Sequence, residues 1–244
     1  MIVFKILLAL LPPILIGCLS LHLIIPGFER SSRWPGIFWK LFLGTGLGFA
    51  LISLLYYCWS VVFDPASFLS ALILIELMLT AALFAACLRR RRARAAREPE
   101  FLPGDGVNKV LAFAATSLWV LLLVNYFEDW SRATRTTPYG DWDAWAIWNL
   151  RASFIASGES WLSGFSEAIS WSHPDYPLLL PLNIARLWVF LGDRSVWAPI
   201  LVSFLFQVSL LGFLVTSVQL LRGYIQAVSY THLRAHETRY VISY

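Results

Sequence analysis

The chain contains apolar blocks long enough to cross a lipid bilayer, and this feature limits its possible folds more than any other. About 20 mostly apolar residues span the hydrocarbon core. Of the 244 residues, 58% are hydrophobic and only 14% are charged. Lipid offers the backbone no hydrogen bonds, so the spans must be helices or strands of a closed barrel. The blocks are continuous rather than alternating, which favours helices.

We predict an all-α, polytopic membrane protein with about six spans. Three spans lie within residues 1–88, and three more begin a second unit over residues 110–227. With six spans both ends would face outward, so a re-entrant segment among the first three is the alternative. The predicted spans are Ile2–Pro26, Ile37–Phe63, Ala66–Leu88, Val110–Tyr126, Leu178–Leu191 and Val196–Leu221.

An arginine-rich connection over residues 89–109 sets the predicted orientation. It holds six arginines between Arg89 and Arg97, and such runs beside a span mark the cytoplasmic side. The loop over residues 127–177 is then external, and its seven acids against three bases agree with that side. Because the arginines flank a span, we predict membrane lipids rather than nucleic acid as their partner.

The last seventeen residues, 228–244, resemble a translated sequencing adapter. Cloning scars are excluded from fold reasoning, so we treat this tail as non-native and expect the natural sequence to continue beyond about Ala227. On this interpretation His232 and His236 carry no functional meaning.

The external loop contains a predicted amphipathic helix from Trp142 to Ala156. Trp145, Trp148, Ala152 and Ile155 recur at helical spacing, and tryptophan prefers the membrane interface. We therefore expect this helix to lie on the outer surface, anchored by Trp142, Trp145 and Trp148, and to end at Gly158.

Two aspartates and an arginine on this helix are candidates for chemistry. Asp141 and Asp143 at the water–lipid boundary could serve as a general base, and Arg151, two turns on, could pair with a phosphate. Simpler roles are the alternatives: Asp141 as a helix cap and Arg151 as a lipid-headgroup contact.

A second element enters the fifth span through two prolines. Pro174 and Pro177 restrict the backbone to an extended entry, which places His173 and Asp175 near the same surface as the aspartate pair. A lone His–Asp pair is weak evidence for a metal or a dyad. Cysteines are confined to the apolar blocks, so we predict no zinc site.

Taken together, these elements resemble the first external loop of bacterial membrane glycosyltransferases of the GT-C superfamily. The pattern is an aspartate after a span, an amphipathic helix ending near Ser157-Gly158-Glu159, a His-Pro-x-x-Pro-Leu-Leu entry at His173–Leu179, and a closing Trp188–Gly192. It covers about a third of the chain, from about Val110 to Gly192.

The resemblance implies sugar transfer at the external face of the bacterial inner membrane. A polyprenyl-phosphate-type donor would be the partner, Asp143 or Asp141 would assist the acceptor hydroxyl with inversion, and Arg151 and His173, with Asp175 beside them, would face the donor phosphate. Some relatives use a divalent metal and many do not. The fragment alone is expected to be inactive.

Two rival functions remain open at the level of sequence. Glu76 in the middle of the third span favours a transporter, because carboxylates inside a membrane are costly and often functional. The alternative is that Glu76 is hydrogen-bonded and faces other helices. A non-catalytic scaffold that binds lipid or a partner through the tryptophan helix is the other alternative. Oligomeric state, sugar and acceptor cannot be read from the residues.

Overall fold

The computed structural model describes residues 2–25, 33–64, 66–94, 109–158 and 161–222, and these residues are helical with no strand. The predicted tail and most of the arginine-rich connection lie outside the described residues. The α-helices are α1 (Ile2–Ile24), α2 (Arg33–Val62), α3 (Leu69–Arg94), α4 (Lys109–Thr136), α5 (Leu150–Ala156), α6 (Leu179–Leu191) and α7 (Trp197–Arg222).

Four of the described helices are long and apolar enough to cross a membrane, which confirms the membrane class of the fold. They cover Val3–Ile24, Gly36–Val62, Leu69–Arg90 and Trp197–Ser217. The predicted fourth span falls within α4, where the side chains of residues 109–116, 118–120 and 122 lie outside the description, and it stays a prediction.

The predicted fifth span is a short, buried helix. α6 has 13 residues, which corresponds to about 20 Å at 1.5 Å per residue. That is less than the roughly 30 Å of a hydrocarbon core. Ten of its residues are buried, because α6 packs against α1, α2, α5 and α7.

Glycines bring α1 and α2 into direct backbone contact. A Cβ atom at Gly17 would overlap the carbonyl oxygen of Gly44, and one at Gly48 would overlap the carbonyl oxygen of Pro13. Small residues that let backbones approach in this way are a common device of helix pairs in membranes. The contacts also show that α1 and α2 are antiparallel.

Side-chain contacts fix the direction of α6 in the bundle. Lys5 Nζ donates to the carbonyl of Leu191 at 2.7 Å, and Asn183 Nδ2 donates to that of Phe49 at 3.4 Å. The C-terminus of α6 therefore lies beside the N-terminus of α1. Arg90 lies at the opposite end of the bundle, where it donates to the carbonyl of Leu23 near the C-terminus of α1.

Within the predicted loop helix, a π-helical segment, Ala144–Asn149, precedes α5. Residues five apart face the same side of a π-helix, which explains why Ala146 and Arg151 are buried together, as are Ile147 and Ala152. The predicted apolar stripe is wrong for Trp145 and Trp148, because its prediction assumed the 3.6-residue period of a regular helix in a segment that is π-helical.

The helical stretch from Trp142 to Ala156 also packs lengthwise along α6. The ring of Trp148 contacts Tyr176 just before α6, and Ser157 accepts a hydrogen bond from Arg194 just after it, at 2.6 Å. The stretch thus runs beside α6 in the same direction, and does not lie across the end of the bundle as expected. Its end is as predicted, with Gly158 at a φ of 66°.

Candidate functional site

The aspartate pair lies at the start of the loop helix. The carbonyl of Asp141 accepts the first helical hydrogen bond, from the backbone N–H of Trp145 at 3.2 Å, which is the N-cap position that the sequence predicts. Asp141 is exposed and Asp143 is half-buried. The side chain of Asp143 makes no capping hydrogen bond to the helix. Neither carboxylate is tied down within the described loop, so both are available to a ligand.

Arg151 is the most buried charged residue of the loop, with 1% of its surface exposed. Its Nη2 atom donates to two carbonyls, of Ser172 at 2.8 Å and of His173 at 2.7 Å. Because these carbonyls belong to the segment that leads into α6, Arg151 ties the loop helix to that segment. Arg151 and His173 are thus brought together as predicted, although through the backbone of His173 rather than its ring.

The remaining donors of Arg151 are available in a buried position. Among the described residues, Nε and Nη1 have no hydrogen-bond partner, and the guanidinium lies 5.7 Å from the centroid of the Phe165 ring. Burial lowers the pKa of Arg151, and the carboxylate of Asp175 opposes this effect. Buried polar groups are nearly always paired, but both nitrogens are enclosed, so an acceptor from outside the chain could reach them only if the segment before α6 moved aside.

His173 has a left-handed backbone and a fixed ring. Its φ of 49° and ψ of 66° end the 3₁₀ helix Glu167–Ser172, and its ring stacks on Tyr176 with centroids 4.8 Å apart. Tyr176 in turn contacts Trp148 on the loop helix at 5.7 Å. We call Trp148, Arg151, Ser172, His173 and Tyr176 the loop cluster.

Three exposed tryptophans connect the aspartate pair to the loop cluster. Trp142 contacts Trp145 at 4.7 Å and Trp171 at 5.9 Å between ring centroids. Next to Trp171, the hydroxyl of Ser172 donates to the carbonyl of Ala146 at 2.6 Å. The first turns of the loop helix and the residues before α6 therefore lie side by side.

The predicted interface residues differ in exposure. Trp142 is 58% exposed and Trp145 42%, whereas Trp148 is half-buried in the loop cluster. Trp171, which the sequence analysis did not single out, is 47% exposed. The surface that can meet lipid is thus formed by Trp142, Trp145 and Trp171, and its use as a membrane contact stays a prediction.

The predicted acids and histidine do not gather into a metal site. Among the described residues, no group of three or more His, Cys, Asp or Glu side chains is placed to hold a metal ion. Asp175 is exposed beside His173, and the Asp141–Asp143 pair lies on the other segment. The described acids and His173 therefore do not fit a divalent metal in this arrangement.

The sequence analysis missed a buried ion pair beneath the loop. Arg186 in α6 donates through Nε to Glu76 Oε1 at 2.7 Å and through Nη2 to Glu76 Oε2. Both side chains are 1% exposed. The signal was present, because Arg186 is the single charge inside the predicted fifth span and a charge at such a position usually has a partner.

Comparisons with family models, with curated proteins and with solved structures found no match for this chain.

Proposed function

We propose that this protein is a membrane glycosyltransferase that moves a sugar from a polyprenyl-phosphate-type donor to an acceptor hydroxyl at the external membrane face. The observation that carries the proposal is the buried guanidinium of Arg151 with two unpaired donors, in a loop that also presents two untethered aspartates. Arginine is the side chain best suited to bind phosphate oxygens in pairs.

The proposed roles follow from the chemistry of each group. A donor phosphate oxygen at Nε or Nη1 of Arg151 would satisfy a donor that is otherwise buried and unpaired. Asp143 or Asp141 would accept the proton of the acceptor hydroxyl as its oxygen bonds to the sugar carbon. The bond from that carbon to the donor phosphate oxygen would break in the same step, and the polyprenyl phosphate would leave. Proton removal of this kind contributes about 10²–10⁴-fold to a rate, and holding donor and acceptor together would supply the rest.

A lipid-linked donor fits the surroundings of the loop. Trp142, Trp145 and Trp171 are exposed beside the aspartates, and amphipathic rings of this kind favour the boundary between headgroups and hydrocarbon. A donor whose phosphate is polar and whose tail is apolar would meet both the tryptophans and Arg151. The end of the loop helix at Ser157 lies with Arg194 at the end of the bundle opposite Arg90, which is the external end if the arginine-rich connection is cytoplasmic. Because the loop helix runs parallel to α6, its first turns with Asp141 lie toward the Arg90 end, and external placement of the aspartates rests on the sequence prediction alone.

The test is sugar transfer by the full-length protein in membrane vesicles supplied with a radiolabelled polyprenyl-phosphate sugar. We expect Asp143→Asn or Asp141→Asn to lower transfer by about 10²–10⁴-fold, while Glu167→Gln, an exposed acid of the same loop, leaves it unchanged. Full transfer by the double Asp141→Asn/Asp143→Asn variant, with normal membrane insertion, would refute the proposal.

The ion pair weakens the argument for a transporter. The two oxygens of Glu76 are bound by Arg186, so the burial of this carboxylate in the membrane is accounted for by pairing within the protein and does not require a transported ion.

A further inference from the structure

Two buried polar side chains of α6, Asn183 and Arg186, donate hydrogen bonds to the first three helices. Asn183 donates to the carbonyl of Phe49 in α2, and Arg186 binds Glu76 in α3. Lys5 of α1 reaches the end of α6, where it donates to the carbonyl of Leu191. The N-terminal helices thus contact α6 through hydrogen bonds as well as through apolar packing.

Pro13 leaves the carbonyl of Ala9 free to accept a hydrogen bond from Arg186. In a regular helix the carbonyl of Ala9 would accept the N–H of residue 13, but proline has none. The Nη1 atom of Arg186 donates to this free carbonyl at 2.7 Å. The guanidinium also lies 4.2 Å from the ring centroid of Phe190, which favours a cation.

We propose that α1–α3 form a docking platform for α6, and that the Glu76–Arg186 ion pair is the link that keeps α6 docked. The first three helices would then hold in place the helix against which the loop packs. This inference concerns α1–α3 and does not rest on the proposed glycosyltransferase activity.

The energetics favour a strong dependence on both partners. α6 is too short to span a bilayer by itself, and it carries a buried cation. Removing one partner of a buried ion pair leaves an uncompensated charge, which is strongly destabilising, whereas pairs in water contribute little. A single neutralising substitution should therefore release α6 while leaving the α1–α2–α3 contacts in place.

The experiment measures the rate at which N-ethylmaleimide labels single cysteines in the whole chain in detergent. Cys18 and Cys58 are replaced by Ser. Ala185→Cys in α6, where Ala185 is fully buried, reports on α6. The native Cys87, at 8% exposure, reports on α1–α3, since its thiol lies against the carbonyl of Leu19. Leu187→Cys is a second reporter in α6.

We expect Glu76→Gln to speed labelling at position 185 on the order of a hundredfold, with Cys87 unchanged. The charge-swapped Glu76→Arg/Arg186→Glu variant should return labelling to within about tenfold of the original rate. The return is incomplete because the new glutamate cannot donate to the carbonyl of Ala9. As a matched control, Glu128→Gln breaks the exposed pair with Arg132 and should change neither rate.

Three outcomes would overturn the proposal. Unchanged labelling at positions 185 and 187 in Glu76→Gln would show that α6 stays docked without the pair. Equal acceleration at Cys87 would show that the pair holds the whole bundle rather than α6. A charge swap that labels as fast as the single variant would show that pairing is not the link.

Discussion

Replacing Arg151 separates its structural role from its proposed role in phosphate binding. A single nitrogen, Nη2, holds both carbonyls of the segment before α6, whereas the free donors are Nε and Nη1. A lysine ammonium has three donors and can take over the two carbonyls, but it cannot replace the other two nitrogens. A methionine of similar length can do neither.

The magnitude for Arg151→Met follows from opposing contributions. Two hydrogen bonds from a charged donor contribute about 1.5–3 kcal/mol each. Part of this loss is offset because two unpaired buried donors, each costing about 1–3 kcal/mol, disappear as well. With the upper value of about 3 kcal/mol for each hydrogen bond and about 2 kcal/mol for each unpaired donor, the net loss is about 2 kcal/mol, which corresponds to roughly thirtyfold faster opening of the segment.

The assay is amide hydrogen exchange, read by mass spectrometry on peptides that cover residues 161–178, with peptides of α7 as the internal control. Arg151→Met should speed exchange about thirtyfold. Arg151→Lys should keep exchange within about fivefold, while it raises the KM for the lipid-phosphate donor. Unchanged exchange in Arg151→Met, in a correctly inserted protein, would refute the assigned clamp. Faster exchange in Arg151→Lys than in Arg151→Met would refute it equally.

Further predictions concern the bundle and its ends. Gly17→Ala should sharply lower thermal stability in detergent, whereas Gly46→Ala, which has open space at its Cβ position, should not; equal effects would contradict the close backbone contact. Lys5→Met should lower the melting temperature modestly through loss of about one hydrogen bond, and no change would show that water replaces it. Hydrogen bonds from Ser67 lower the pKa of Asp64 from its usual 3.8. Their stabilisation of the folded turn is therefore present above pH 3.8 and is lost as pH falls through the lower pKa of the folded state. Amide hydrogen exchange of the turn at residues 64–68 should be independent of pH from about 5 to 8 after correction for the intrinsic rate.

The helical framework could be predicted because lipid leaves the backbone few choices. All six apolar blocks coincide with helices, and their bounds agree to within about four residues except at two ends. α3 continues six residues past Leu88, and α4 continues ten residues past Tyr126, into the stretch predicted as loop. Hydropathy, however, reports only the average character of a window. The block from Leu178 to Leu191 was therefore assigned as a span, although its length and the charge of Arg186 are those of a buried helix.

The contents of the loop were predicted better than its geometry. The end at Gly158 and the meeting of Arg151 with His173 were accessible from residue types and spacing. The predicted extended entry is wrong, because residues 173–176 form a turn in which the backbone N–H of Tyr176 donates to the carbonyl of His173 at 3.1 Å, and proline favours the second position of such a turn. The partners of Arg151 were not, because they are backbone carbonyls that any sequence would provide. Pairing of Glu76 with Arg186, 110 residues apart, likewise requires knowledge of which helices are neighbours.

The π-helical turns between Ala144 and Asn149 make the number of residues in this stretch as important as their identity. Each residue of a regular helix advances the side chains by about 100° around the axis, and a wider turn accommodates one residue more than the regular helix would. Deleting any one of these six residues would restore ordinary helical winding. The side chains of Asp141 and Asp143 would then be rotated around the helix axis relative to those of α5, although no residue outside the deletion had been changed.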